Sequence, residues 1–253
     1  MKPRENTIVL TRAATVISYG AEADVIVTTA RRAPDAAASD QVLATFAKGD
    51  YALEPLLSWN ALGMRGTASA GFTFKARGSY DQILPDPYDR IHALTMQPVS
   101  HLLWASVWAG IAAGAVARAQ HFIRKAARQA GGALPPGAAH YTKARSSLEL
   151  LRALIASILA RYEVISSDPA AIGSLDFQTA VTLVKVDASE LAVGTVLSAM
   201  RASGLAGYRN DGEFTLGRHL RDILSAPIMI NNDRILANVS SAALMGSVPS
   251  SLL

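Results

Sequence analysis

The hydrophobic pattern of the chain changes near residue 85. Before that point, apolar and β-branched residues come in short runs separated by polar turns, which is typical of strands. Three runs are the clearest strand candidates: Thr7–Ser18, Ala23–Thr29 and Val42–Ala47. Phe72 and Phe74 alternate with polar residues, so both rings lie on one face of a further strand. The pattern therefore predicts a partial β-domain over residues 1–85.

After residue 85, apolar residues recur at intervals of three and four, which is the helical period. The pattern predicts four long helices: His92–Gln129, Tyr141–Ile165, Asp176–Ala202 and Leu216–Leu244. Short connections rich in Gly and Pro join them, as in an antiparallel bundle. We predict a helical bundle domain over residues 86–253, and an α+β fold class that is mainly α.

The first predicted helix carries a face of small residues formed by Gly110, Ala113, Gly114 and Ala117. Such a thin face predicts close approach by another helix. The same helix contains the apolar run Leu102–Ala117, which has 16 residues. A membrane span needs about 20, so the run favours a core helix and a protein outside the membrane.

Composition narrows the class of protein but selects no function. The 253 residues contain 24 Lys+Arg and 20 Asp+Glu, and the net charge of +4 is too small and scattered to indicate nucleic-acid binding. Apolar residues make up 50% of the chain, which excludes intrinsic disorder. The absence of cysteine excludes disulfides, thiolate metal sites and a cysteine nucleophile. No apolar leader follows Met1, and we expect a cytoplasmic protein.

Familiar catalytic signatures are missing from the sequence. The five histidines show no HxxxH or HExxH spacing, and no GxSxG, Walker A or GxGxxG motif occurs. No metal site is predicted. Basic residues cluster where the first predicted helix ends: Arg118, Arg124, Lys125 and Arg128. Two interpretations stay open for this cluster, a solvated helix end that complements the helix dipole or a phosphate-binding surface.

Three segments, in order, resemble the acyl-CoA dehydrogenase superfamily, particularly the branch that includes dibenzothiophene monooxygenase-like flavoproteins. The first is WNALGMRGTAS at residues 59–69, followed by the strand GFTF. It is similar to the segment that ends the family's β-domain. The second, VWAGIAAGAVARA at 107–119, resembles the first helix of the family's bundle. The third, GLAGYRN at 204–210 with LRD at 220–222, resembles the loop and helix start at the end of that bundle.

The resemblance implies an oxidoreductase that binds FAD, or alternatively FMN, and acts on an acyl thioester or a similar substrate. It also implies the cofactor-binding residues. Ser18 takes the hydroxyl position beside the flavin ring, while the backbone at Gly204 and Gly207 approaches the diphosphate or adenosine. We further predict that Arg128 or Arg201 lies near the diphosphate, because an arginine can hold its oxygens through paired hydrogen bonds. The alternative interpretation is that both glycines end a helix in left-handed backbone and both arginines are ordinary helix-end charges.

The sequence also departs from the family pattern. Family members begin with a helical domain and the first half of the β-domain, which this sequence lacks. Val16 stands where the family commonly has Trp, and Arg201 where many members have Gln. We therefore expect a homo- or hetero-oligomer with a chain that supplies the missing part. Two alternatives to a dehydrogenase-like subunit stay open: a reduced-flavin-dependent monooxygenase and a non-catalytic subunit that supports a catalytic partner.

The usual catalytic base of the dehydrogenases is absent. Counting eight residues on from Asp222 reaches Ile230, and an alkyl side chain cannot abstract a proton. Asp233 is the alternative base, although its neighbour Arg234 favours a surface ion pair. No catalytic residue is assigned from the sequence.

Overall fold

The computed structural model describes residues 6–245, and the chain divides into two compact units after His92. The first unit contains the strands, and the second contains the long helices. The domain limits at 85 and 86 stay a prediction of the sequence. The α+β fold class, with a partial β-domain and a helical bundle, is confirmed.

Two small antiparallel sheets form the first unit. The strands of this unit are β1 (Thr7–Ala14), β2 (Val25–Arg31), β3 (Gln41–Ala47), β4 (Tyr51–Leu57) and β5 (Gly71–Ser79). One sheet has the order β1-β5-β4, and the other pairs β2 with β3. Phe46 of β3 meets Phe74 of β5 edge to face, with ring centroids 5.8 Å apart. This contact holds the two sheets in one core. The unit ends with the short helix α1 (Tyr88–Ile91).

Phe72 and Phe74 are both buried, which confirms that their side chains share one face of β5. The first predicted strand is too long, because β1 ends at Ala14. The strand β4, which contains Pro55, was not predicted from the sequence. Proline donates no ladder hydrogen bond and argues against a central strand. Here β4 lies at a sheet edge, and its register shifts at a bulge between Pro55 and Leu57.

Three long helices, α2, α3 and α5, and three shorter ones build the described part of the second unit. The helices are α2 (Gln97–Gln129), α3 (Ala138–Ile165), α4 (Pro169–Ile172), α5 (Leu175–Tyr208), α6 (Gly217–Ile223) and α7 (Asn232–Met245). A π-helical turn, His92–Met96, precedes α2 where the sequence predicts the start of the first helix. The ends predicted at Gln129 and Ile165 are correct.

The single helix predicted over Leu216–Leu244 is wrong. The structure has two helices there, α6 and α7, separated by turns over residues 224–231. Pro227 lacks the N–H that a helix interior needs and disfavours helical backbone at Ala226. Ile230 and Asn231 then take positive φ values of 52° and 27°, which no α-helix contains.

Alanine fills much of the core between α2, α3 and α5. Ten of the seventeen buried residues in this cluster, counted over the described part of the chain, are alanine. The thin face predicted on α2 lies elsewhere: Ala113 and Ala117 are exposed, and the buried small residues are Ala105, Ala112, Ala115 and Ala119. Gly114 does allow a close approach, because a Cβ there would lie 2.9 Å from Nε2 of His219 on α6.

The segment Tyr88–Gln129 is long and apolar enough to cross a membrane by length and composition alone. Its buried residues include Ala105, Trp108, Ala112 and Ala119, whose spacings of three, four and seven residues place them on one face of the helix. This face packs against α3 and α5. The arrangement is that of a core helix, as the sequence predicts.

Candidate cofactor site

A chain of hydroxyl groups holds the predicted flavin-side residue Ser18. Its Oγ lies 2.9 Å from Oγ of Ser69, which lies 2.7 Å from Oγ1 of Thr67. Thr67 donates to the carbonyl of Met64, which also accepts from the indole N–H of Trp59. The motif at residues 59–69 is therefore a turn closed by its own Trp, Thr and Ser. It orients the exposed hydroxyl of Ser18.

Main-chain hydrogen bonds fix residues 16–20 against this turn. The Ile17 N–H donates to the main-chain carbonyl of Ala70, with an N···O distance of 2.9 Å. The Tyr19 N–H donates to the main-chain carbonyl of Thr67 at 3.0 Å. Tyr19 takes a positive φ of 53° and is more than half exposed, as is Val16. The chain turns here and presents Val16, Ser18 and Tyr19 to solvent.

The other predicted site residues lie at one end of the bundle. The helix α2 ends in a Schellman motif, in which Gly131 has φ +64° and the Gly132 N–H donates to the carbonyl of Ala127. The chain then turns into α3 at Gly137, where a Cβ would lie 2.2 Å from the carbonyl oxygen of Ala202 on α5. The ends of α2 and α5 are thus neighbours, and Arg128 and Arg201 belong to the same end of the bundle.

Both arginines are exposed, and neither forms an ion pair within residues 6–245. Arg201 lies one turn before Gly204, where the helix is interrupted. Gly204 has φ 53° and ψ −137°, a combination open to glycine alone, and no atom lies within 4 Å of an added Cβ. The main chain at Gly204 is therefore open to a ligand, with one guanidinium a turn away.

Gly207 differs from the expectation of left-handed backbone. It lies within the helical turn that continues α5 to Tyr208, and it does not have a positive φ. The residue is buried, and a Cβ would lie 2.7 Å from Cβ of Ser203. Its carbonyl accepts the Leu216 N–H at 2.8 Å. Close packing explains this glycine, so it has no direct access to a ligand.

The positions considered for a catalytic base lie at the turn before α7. Ile230 is 40% exposed, and Asn231 caps α7 by accepting the N–H groups of Asp233 and Arg234. Asp233 is exposed, and the surface pair with Arg234 is not present among the described residues. The structure places no carboxylate at Ile230.

Comparison with known proteins bears on the architecture. No protein-family model and no curated protein sequence matches the chain. Among solved structures, dibenzothiophene monooxygenase TdsC from Paenibacillus sp. A11-2 superposes with a TM-score of 0.76 and 19% identity, over 96% of this chain and 66% of that chain. Butyryl-CoA dehydrogenase from Megasphaera elsdenii gives a TM-score of 0.71 and 16% identity, over 95% and 61%. The chain has the acyl-CoA dehydrogenase fold.

The same fold relates the chain to nitroalkane oxidase, with a TM-score of 0.75, 19% identity, and coverage of 94% of this chain and 61% of that chain. The resemblance predicted from three sequence segments is thus confirmed at the level of the fold. The chain spans 61% to 66% of the length of these structures.

Within this acyl-CoA dehydrogenase fold lies a buried polar network that the sequence pattern did not predict. Lys185 is fully buried, and its Nζ donates to Oδ1 of Asn232 at 2.7 Å and to the carbonyl of Ala226 at 3.1 Å. The amide nitrogen of Asn232 donates in turn to Oγ of Ser189 at 2.9 Å and to Oε1 of Glu190 at 2.8 Å. Asn232 thus links the buried cation to an exposed carboxylate. The clue in the sequence is a lysine at a core position of α5, four residues after Val181 and three before Ala188.

This network fixes both ends of the turn between α6 and α7. Lys185 holds the carbonyl of Ala226 at one end and the side chain of Asn232 at the other. Between these points lie Ile230 and Asn231, two residues in sparsely populated backbone conformations that need support from the surrounding structure. The Lys185–Asn232 contact supplies that support.

Burial lowers the pKa of Lys185 from 10.5 to about 8, although Glu190 opposes the shift. Below pH 8 both the folded and unfolded chains carry the proton. Between pH 8 and 10.5 the unfolded chain binds more protons, so we expect the free energy of unfolding to rise with pH, by up to about 1.4 kcal/mol per unit. Urea unfolding across this range measures the rise.

The variant Lys185→Met should lack this rise, while the exposed-lysine control Lys143→Met should keep it. A wild-type stability that falls steadily from pH 8 to 10 in parallel with Lys185→Met contradicts the expectation.

Proposed function

We propose that this chain is part of a cytoplasmic flavin-dependent oxidoreductase that acts on an acyl thioester or a similar substrate through FAD. The observation that carries the proposal is the opening at Gly204, where bare backbone lies beside Arg201 at the end of a bundle of the acyl-CoA dehydrogenase fold. Several proteins of this fold are flavin enzymes, and one solved structure of TdsC contains FMN. FMN is therefore the alternative cofactor.

The residues at this end of the bundle fit a flavin diphosphate. Backbone without a Cβ allows phosphate oxygens close approach, and guanidinium groups hold such oxygens through paired hydrogen bonds. Gly204 supplies the open backbone, while Arg201 and Arg128 supply the guanidinium groups. Gly207 is removed from this set because it is packed against Ser203 and Leu216. Bound flavin supplies the capacity to accept a hydride from a substrate carbon.

In the first unit, Ser18 and its hydroxyl chain are a separate candidate contact for the flavin ring. The Ser18 Oγ is ordered by Ser69 and exposed, so it can exchange a hydrogen bond with a polar edge of the flavin ring. Val16 and Tyr19 flank it as exposed apolar side chains suited to contact a ring. The proposal assigns these residues to orientation of the cofactor, with no part in proton transfer.

One observation favours the monooxygenase alternative. Ile230 offers no base, and the turn that carries it is fixed by Lys185 and Asn232. A reaction that abstracts a proton from carbon needs a base within hydrogen-bond reach, whereas oxygenation by reduced flavin does not need one at this position.

We also propose that the β unit is completed by further polypeptide. Within residues 6–245, β1 and β4 each pair only with β5, and β2 pairs only with β3. Val9, Val25 and Val27 on these strands are more than half exposed. A cleft of about 880 Å³ lies along β1 and the β2–β3 sheet. Unpaired edges of this kind recruit strands, so an oligomer with a chain that covers them is expected.

Flavin retention by the assembled protein tests the proposal. We expect the complex to purify yellow, and Arg201→Ala to weaken flavin binding about tenfold, which corresponds to about 1.4 kcal/mol for a lost charge-assisted contact. Fluorescence titration of apoprotein with FAD and with FMN measures the affinity and distinguishes the two cofactors.

Asp233→Asn is the matched control, because this exposed residue lies outside the proposed cofactor contacts. Its flavin affinity should equal that of the wild type. A colourless complex, or equal affinity in Arg128→Ala, Arg201→Ala and wild type, favours the non-catalytic subunit.

A further inference from the structure

The short helix α6 packs against α2 at a position where α2 has no side chain. A Cβ at Gly114 would lie 2.9 Å from Nε2 of His219 and 3.4 Å from its Cδ2, so the edge of the imidazole ring occupies the space beside that glycine. One turn earlier, Gly110 has no atom within 4 Å of an added Cβ. The close approach of α6 to α2 at Gly114 is therefore made by His219.

The inner nitrogen of the His219 ring has no partner. Its Nδ1 is buried, and no hydrogen bond reaches it within residues 6–245. A neutral imidazole carries a hydrogen on one nitrogen only, whereas the imidazolium carries a hydrogen on both. Protonation would therefore leave a buried N–H donor at Nδ1 without an acceptor. An unsatisfied buried polar group costs about 1–3 kcal/mol, and more when it is charged.

The charges around His219 also oppose a further positive charge. Burial lowers the pKa of His219 most, and the guanidinium groups of Arg118 on α2 and Arg218 on α6 lower it further. The carboxylate of Asp222 on α6 acts in the opposite direction. The charged group that α5 directs to the turn after α6 is the ammonium of Lys185, a further cation. The docked position therefore favours the neutral ring.

Both flanks of α6 have attachments that do not involve the histidine. Ahead of the helix, Arg118 donates to the carbonyl of Glu213 at 3.1 Å. Beyond it, Lys185 donates to the carbonyl of Ala226 at 3.1 Å. Between these points the seven residues of α6 depend on apolar packing and on His219. A change at His219 can therefore open α6 locally while the long helices stay folded.

We propose that His219 forms a pH-dependent contact between α6 and α2, in which the neutral ring holds α6 at Gly114 and protonation releases it. Released His219 is solvated and has an ordinary pKa of about 6.5, whereas the docked ring has a lower pKa. The released form therefore binds more protons. The docked form loses stability relative to it as the pH falls below about 6.5.

Release of α6 also affects the end of α5. Leu216, the residue before α6, donates its N–H to the carbonyl of Gly207 at 2.8 Å. Gly207 lies three residues after Gly204, whose open backbone the proposed function assigns to the cofactor. Acid is therefore expected to loosen this part of the chain. The pH-dependent contact itself does not depend on bound flavin or on the proposed function.

Hydrogen–deuterium exchange of the assembled protein at pH 7.5 and pH 5.0 measures the release. Exchange rates are corrected for the intrinsic effect of pH, and peptides from the middle of α3 report global unfolding. We expect the protection of residues 217–223 to fall about tenfold at pH 5.0 while that of α3 is unchanged, since one linked proton changes an equilibrium by at most about tenfold per pH unit. Equal protection of α6 at both pH values overturns the proposal.

The variant His219→Gln keeps a polar side chain that takes up no proton. Its protection at residues 217–223 should be the same at pH 7.5 and pH 5.0. His140→Gln, on α3, removes a different histidine and should keep the pH dependence of the wild type. A tenfold fall that persists in His219→Gln assigns the titration to another group and contradicts the proposal.

The variant Gly114→Ala tests the contact without changing a titratable group. Its Cβ displaces His219, so residues 217–223 should exchange about tenfold faster than in the wild type at pH 7.5. Gly110→Ala is the matched control, because it lies one turn earlier on the same helix with nothing within 4 Å. It should exchange like the wild type. Equal protection of α6 in Gly114→Ala and Gly110→Ala would show that His219 does not hold the helix.

Discussion

Replacing Asn232 with leucine is expected to lower the free energy of unfolding by about 1.5–3 kcal/mol, because the substitution removes the shortest hydrogen bond of the buried Lys185 ammonium group. The Ala226 carbonyl is the remaining acceptor at 3.1 Å, and the link to the Glu190 carboxylate is lost. Chemical denaturation followed by circular dichroism measures the loss.

The double variant Lys185→Met/Asn232→Leu separates charge burial from simple loss of packing. It removes the buried cation together with its partner, so its destabilisation should be smaller than the sum of the two single effects by about 1–3 kcal/mol. Lys143→Met, at an exposed site on α3, should change stability by less than about 0.5 kcal/mol. Strict additivity of the two buried substitutions would show that the network contributes no coupling.

The substitution Gly137→Ala is expected to cost about 3 kcal/mol, at the upper end of the range for overpacking. Gly137 has ordinary helical backbone, with φ −69° and ψ −11°, so alanine meets no conformational penalty there. The added Cβ would lie 2.2 Å from the carbonyl oxygen of Ala202. Either the start of α3 or the end of α5 must move, which also displaces the proposed cofactor contacts near Arg201.

The same substitution at Gly194 should raise the free energy of unfolding instead of lowering it. A Cβ there meets no atom within 4 Å, and alanine is the better helix former by about 1 kcal/mol. Thermal unfolding of Gly137→Ala and Gly194→Ala compares the two glycines directly. A Gly137→Ala variant as stable as the wild type would mean that α3 and α5 are not in contact at Ala202.

Sequence patterns captured the elements with regular periodicity. The ends of α2 and α3 were predicted to the residue because Gly131 and a polar, Pro-containing segment follow them, and these signals act locally. β4 was missed and the α6–α7 break was not predicted, although both contain proline. In β4 the edge position and bulge accommodate Pro55, whereas Pro227 lies where the chain must turn. These outcomes depend on tertiary position, which a local pattern does not contain.

The candidate site was predicted only in part. Gly204 and Arg201 lie together because they are one turn apart in sequence, and the shared end of α2 and α5 brings Arg128 to the same region. Gly207 looked equivalent to Gly204 in sequence, but its role follows from Ser203 and Leu216 packing against it. Lys185 and Asn232 are 47 residues apart, and no local pattern connects them.

The alanine-rich centre of the bundle makes the effect of mutation asymmetric. An alanine buried between α2 and α5, such as Ala112 or Ala192, has only one methyl group to lose, so truncation removes little buried surface. Any larger residue there must push two long helices apart along much of their length, since interiors of this density have no spare volume. Random variation of such a core therefore meets a steep barrier toward larger side chains. Stabilising changes are to be sought at the helix ends and in glycines that face open space.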